Sequence, residues 1–190
     1  MDASSMTVAT QPLTLEAFLE LPETKSASEF LQGRIVQKPM PQGEHSLLQS
    51  TLCETINQAA KPAKLAAAFP ALRCTFGGRS IIPDISVFRW DRIPLTETGR
   101  IANRFLIPPD WSIEVLSPDQ SQTQVLSNLL HCIEHGSELG WLLDPGEDSV
   151  LIVDRDQRIR ILTGKASLPV LEGVDLSLTA MTVFGWLMLN

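Results

Sequence analysis

A chain of 190 residues, 44% hydrophobic and 19% charged, has the length of one globular domain and buries about 70% of its unfolded surface. No apolar run approaches the roughly 20 residues of a membrane span, and no basic segment followed by an apolar one opens the chain, so a cytoplasmic location is expected. The net charge of −7 taken alone argues against a nucleic-acid partner, and Cys53, Cys74 and Cys132, without paired ligand spacing, read as buried free thiols.

Residues 1–12 read as a loose arm and residues 13–190 as a single domain. In "LTLEAFLELPE" Thr14 is a helix N-cap and Pro22 the stop. "SEFLQGRIVQKPM" carries Gly33 between two extended pieces, which signals a hairpin. From 43 to 60, Leu48, Leu52, Ile56 and Ala59 share one helical face, and Pro62 closes that helix. "AAAFPALRCTF", "IIPDISVF" and "WSIEVLSP" read as extended, with a long polar connection over 89–110. "SQTQVLSNLLHCIEHG" is a helix between Ser121 and Gly136, with Val125, Leu126, Leu129, Leu130 and Ile133 as its apolar stripe. "GWLLDP" reads as a buried strand, "SVLIVDRDQRIRIL" as a hairpin and "SLTAMTVFGWLML" as a closing helix. The order predicts an α/β (α+β) fold, a mixed β-sheet flanked by helices.

Two acids break otherwise apolar runs. Asp84 interrupts "IIPDISVF" and Glu114 interrupts "WSIEV". A buried carboxylate is costly unless it is paired or binds a cation. Taken alone, Asp84 also fits a turn leading into a strand. Two such acids on neighbouring strands would repel without a hard cation between them, and an oxygen-rich pair suits magnesium. Charge is also unevenly spread: six arginines meet three acids from Arg73 to Arg104, whereas Phe105–Val150 has eight acids and no Lys or Arg. This allows a basic surface beside an acidic pocket, or ordinary surface variation.

As an ordered set, "LTLEAFLELPE", "SEFLQGRIVQKPMPQGEHSLLQ", "IIPDISVF", "WSIEVLSPDQSQ" and "EHG…GWLLDP" resemble the Uma-two family of bacterial restriction endonucleases, a branch of the PD-(D/E)XK nuclease superfamily. The resemblance runs from about Pro12 to the C-terminus and implies a restriction-endonuclease-like fold. It implies Asp84 and Glu114 as metal carboxylates, Glu29 as an acid joining from the hairpin and His45 as a histidine at the start of the following helix. Magnesium is the implied cofactor, with manganese as a substitute, and DNA the implied partner.

The sequence departs from that pattern at one point. The superfamily's Lys two positions after the second acid is Leu116 here, and the displaced helix position is Asn128, with Gln124 one turn earlier. No Lys or Arg lies between Arg104 and Arg155. Gln124, Asn128, His131 and His135 share a helical face that either supplies neutral donors to the site or is the solvated side of the helix. Two readings follow: a metal-dependent DNA endonuclease, or a catalytically impaired relative that binds DNA or assembles. A homodimer is expected for cutting both strands, with Trp111 and "FGWLML" as candidate contact area.

Overall fold

The computed structural model describes residues 13–118 and 120–188, so the arm expected over 1–12 lies outside the described residues. Helix α1 (Leu15–Leu19) starts where Thr14 Oγ1 accepts the Ala17 N–H at 3.2 Å. Strands β1 (Ser28–Leu31) and β2 (Arg34–Gln37) pair antiparallel through Gln32 and Gly33, both at positive φ, as a twist-matched two-residue hairpin requires. Helix α2 (Gly43–Ala60) buries Leu48, Leu52 and Ile56.

The extended stretches divide into β3 (Ala66–Pro70), β4 (Cys74–Phe76), β5 (Arg79–Ile81) and β6 (Ile85–Arg89). A 3-10 turn at Trp90–Arg92 opens the long connection to β7 (Trp111–Val115). Helix α3 (Gln122–Glu134), strands β8 (Leu139–Asp144), β9 (Ser149–Asp154) and β10 (Ile159–Thr163), and helix α4 (Ala180–Gly185) complete the chain. The closing helix is shorter than its apolar sequence suggests.

Two sheets result. A four-stranded antiparallel sheet runs β2-β1-β5-β4, and a mixed six-stranded sheet runs β10-β9-β8-β7-β6-β3, with only β7 and β8 parallel. Helix α3 is the crossover that a parallel pair needs. The larger sheet is covered on both faces, so β7 is buried along its whole length and still alternates. Trp111, Ile113 and Val115 join the core formed with α2 and α4, where Trp111 and Trp141 pack edge to face at 4.6 Å. Ser112 and Glu114 project to the opposite face, on the side of α3. Trp111 is fully buried, which removes it from any contact between copies.

Asp84 does not lie inside a strand. Ile82, Pro83 and Asp84 form the break between β5, in the small sheet, and β6, in the large one. Proline cannot donate to a ladder, so the chain leaves one sheet there and enters the other.

Candidate metal and catalytic site

The register of β6 against β7 puts Ile85 opposite Ile113, so one step back along β6 brings Asp84 beside Glu114. The Val115 N–H donates to Asp84 Oδ2 at 2.8 Å and fixes that carboxylate. Its backbone carbonyl is fixed as well, accepting from Gln49 Nε2 at 2.7 Å and from the Ala71 N–H at 2.9 Å. Glu29, on β1, reaches across from the small sheet, where its Oε1 accepts the Ile82 N–H at 2.7 Å. Asn128, buried on α3, donates to Glu29 Oε2 at 3.2 Å. His45, in the first turn of α2, lies with Nε2 3.3 Å from Asp84 Oδ1 and Nδ1 3.3 Å from Ser117 Oγ. Of the six residues expected at the site, five are thus buried: contacts join His45 to Asp84 and Asn128 to Glu29, and Glu114 lies beside Asp84 in the strand register. The sixth, Gln124, is exposed and lines a cleft of about 370 Å³ together with Glu29, Lys38, Gln37 and Asn128.

A cation sits between the two central acids, and it is a residue the sequence reasoning missed. Lys38, directly after β2, places Nζ 2.8 Å from Asp84 Oδ1, 3.0 Å from Glu114 Oε2 and 2.7 Å from the Ile82 carbonyl. The positive charge absent from α3 therefore enters from the hairpin. Lys38 stands before Pro39 at the open end of that hairpin, where no local pattern marks it, and spacing from Glu114 pointed to the wrong element.

Burial weakens the charged form of every group here, and the pairings decide which charges survive. For Asp84, Lys38 and His45 outweigh burial and hold the carboxyl well below its ordinary range. For Lys38, burial is outweighed by Glu114, Asp84 and Glu29, and the ammonium is held above the ordinary lysine range. Burial raises Glu29, and it raises Glu114 strongly, with Lys38 offsetting only part of the effect in each case. One ammonium thus faces three carboxyl groups and fully neutralises one.

The donor set is all oxygen: Asp84, Glu114, Glu29 and the Ile82 carbonyl. Glu114 Oε1 is buried with no hydrogen-bond partner among the described residues. An orphaned carboxylate oxygen in a cluster with surplus negative capacity fits a hard divalent ion.

The face of α3 that continues from Asn128 is buried at His131 and exposed at His135. His131 is buried, its Nε2–H donates to the Phe76 carbonyl at 3.2 Å, and its ring stacks on Phe76 at 4.9 Å. His135 donates from Nδ1 to the His131 carbonyl at 2.8 Å. Ligand atoms of His131, Glu134 and His135 lie within 4.8 Å of one another, but the pair of histidines mainly ties the β4–β5 hairpin to α3. The arginine-rich segment is largely consumed internally: Arg89 pairs with Glu138, Arg92 with the buried Asp110, and Arg73 with Glu23, while Arg100 and Arg104 stay exposed.

The family model Uma2, described as "Putative restriction endonuclease", matches residues 15–182. The chain belongs to the Uma2 family. A crystal structure described as that of "a putative nuclease belonging to DUF820", from Anabaena variabilis, is 52% identical and superposes with a TM-score of 0.91. The match covers 93% of this chain and 100% of that one. No curated protein matches the chain. The matched span of the Uma2 model contains Glu29, Lys38, His45, Asp84, Glu114 and Asn128, every group of the buried cluster. Among the described residues, no helix is long and apolar enough to cross a membrane.

Proposed function

We propose that the protein is a magnesium-dependent DNA endonuclease in which Asp84 and Glu114 hold the ion. The observation that carries this reading is the pairing of two buried carboxylates around a cation, with one of their oxygens left without a partner. A bound magnesium would supply an activated water and offset charge developing on the phosphate. The remaining residues position this pair. His45, held by Ser117, orients Asp84; Glu29 fixes the Ile82 peptide whose carbonyl faces Lys38; Asn128 orients Glu29. Gln124 stands at the mouth of the cleft, where a DNA backbone would enter.

Family membership and the resemblance to a described nuclease support the reaction class. The alternative, a catalytically impaired relative that acts as a DNA-binding or assembly module, rested on the lack of a cation near the acids; the contacts of Lys38 with Asp84 and Glu114 favour the first reading. A plasmid-nicking assay with magnesium or manganese, run beside a calorimetric magnesium titration, tests the reading. Asp84→Ala should lower nicking about a hundredfold or more, the usual scale for losing a charge-stabilising group, and should abolish the binding heat. Wild-type protein that takes up no divalent ion would sink it.

A further inference from the structure

We propose that Lys38 is a displaceable counter-ion. It holds the cation position between Asp84 and Glu114 in the metal-free protein, leaves it when a divalent ion binds, and then offers its ammonium to a phosphate in the cleft. This rests on the metal-dependent reading above.

Three features of Lys38 carry the argument. First, its ammonium has three N–H groups and three oxygen partners, at 2.7, 2.8 and 3.0 Å, so it is fully engaged. Two of those partners belong to Asp84 and Glu114, the carboxylates that would hold the ion. An ammonium and a divalent ion on the same carboxylates repel each other strongly where water is scarce. Second, the backbone of Lys38 is clamped. Its N–H donates to the Ala27 carbonyl at 2.9 Å, and its own carbonyl accepts from Ser26 Oγ. Displacement therefore moves the side chain and leaves the hairpin in place. Third, the side chain has somewhere to go. Lys38 lines the cleft of about 370 Å³ bounded by Gln124 and Asn128, and its stem is flexible.

The same arrangement explains how a site without a helix-borne lysine keeps a positive charge for the phosphate. The ammonium that neutralises the acids at rest becomes available in the loaded state.

Lysine acylation followed by mass spectrometry reads the exchange in wild-type protein, without any variant. The exposed Lys61, Lys64 and Lys165 serve as references. Without metal Lys38 should be protected; saturating magnesium should raise its labelling at least several-fold while the references stay constant. Calorimetry gives the second readout: Lys38→Met should bind magnesium about tenfold more tightly than wild type, because no ammonium has to be expelled. Nicking gives the third: Lys38→Met should lose about a hundredfold, and Lys38→Met with Asn128→Lys should recover part of it, since position 128 already reaches Glu29. Magnesium binding with Lys38 still protected would overturn the exchange, whatever the Lys38→Met variant does. Wild-type rates in Lys38→Met would overturn the role at the phosphate. Absence of magnesium binding in wild type would remove the nuclease reading and this inference together.

Discussion

Burial disfavours the charged form of both His131 and the half-buried Lys38, yet their partners leave the two with opposite net shifts. Lys38 keeps its proton because carboxyl groups surround it; for His131, burial, with Arg79 and His135, outweighs the Phe76 carbonyl and Glu134 and lowers the pKa to about 4. The unfolded chain binds this proton below about pH 6.5, whereas the folded protein resists it until about pH 4. The stability that His131 contributes is therefore complete above pH 6.5 and is lost as pH falls towards 4, by about 1–2 kcal/mol after allowance for solvent screening. Glu29 and Glu114, whose pKa values are raised, act with the opposite sign at low pH, so the effect is read as a difference between proteins. Urea midpoints measured from pH 7 to 4 should fall less steeply for His131→Gln than for wild type. Equal slopes would show that His131 takes up its proton without cost.

At the scale of the elements, the β4–β5 hairpin shows how a turn constrains a helix. Gly77 sits at φ +55, and a Cβ added there would lie 2.1 Å from His135 Nε2. Because His135 is exposed it can swing aside, so most of the cost of Gly77→Ala is the left-handed backbone, about 1–2 kcal/mol. Thermal unfolding should register this loss, and an unchanged midpoint would mean that the turn relaxes. The elements that could be read from sequence included α2, with its one buried face, and β9, an apolar run buried on both faces. Helix α3 was harder, because its stripe of Val125, Leu129 and Ile133 packs on the large sheet while Asn128, His131 and Cys132 are buried on an adjoining side. The spacing of the polar residues places them on one face but does not distinguish a buried polar side from a solvated one. Glu114 was legible because an acid in a doubly buried strand has few bland explanations. Lys38 was not, since it precedes Asp84 by 46 residues and Glu114 by 76, and only the fold brings it to them.

Across the whole molecule, the two sheets meet at the site. Glu29 and Lys38 come from the small sheet's hairpin, Glu114 from the large sheet, and Asp84 from the segment that passes between them. On the proposed reading one such site would cut one strand, so double-strand cleavage would be simplest with two copies about a two-fold axis. Light scattering at micromolar concentration should then report a dimer, and a monomer that still linearises plasmid would refute the requirement. With Trp111 inside the core, the apolar area for that contact has to come from elsewhere; Ile159 and Ile161 on the edge strand β10 are 46% and 66% exposed.

The break at Ile82–Asp84 also makes the site a seam. No fragment confined to one sheet carries both the hairpin lysine and the strand carboxylate, and a protease cut between Lys38 and Glu114 would divide its contributors. On the proposed reading, metal affinity would be a measure of wholeness: it would count molecules in which both halves have closed on each other and ignore any with only one half in order.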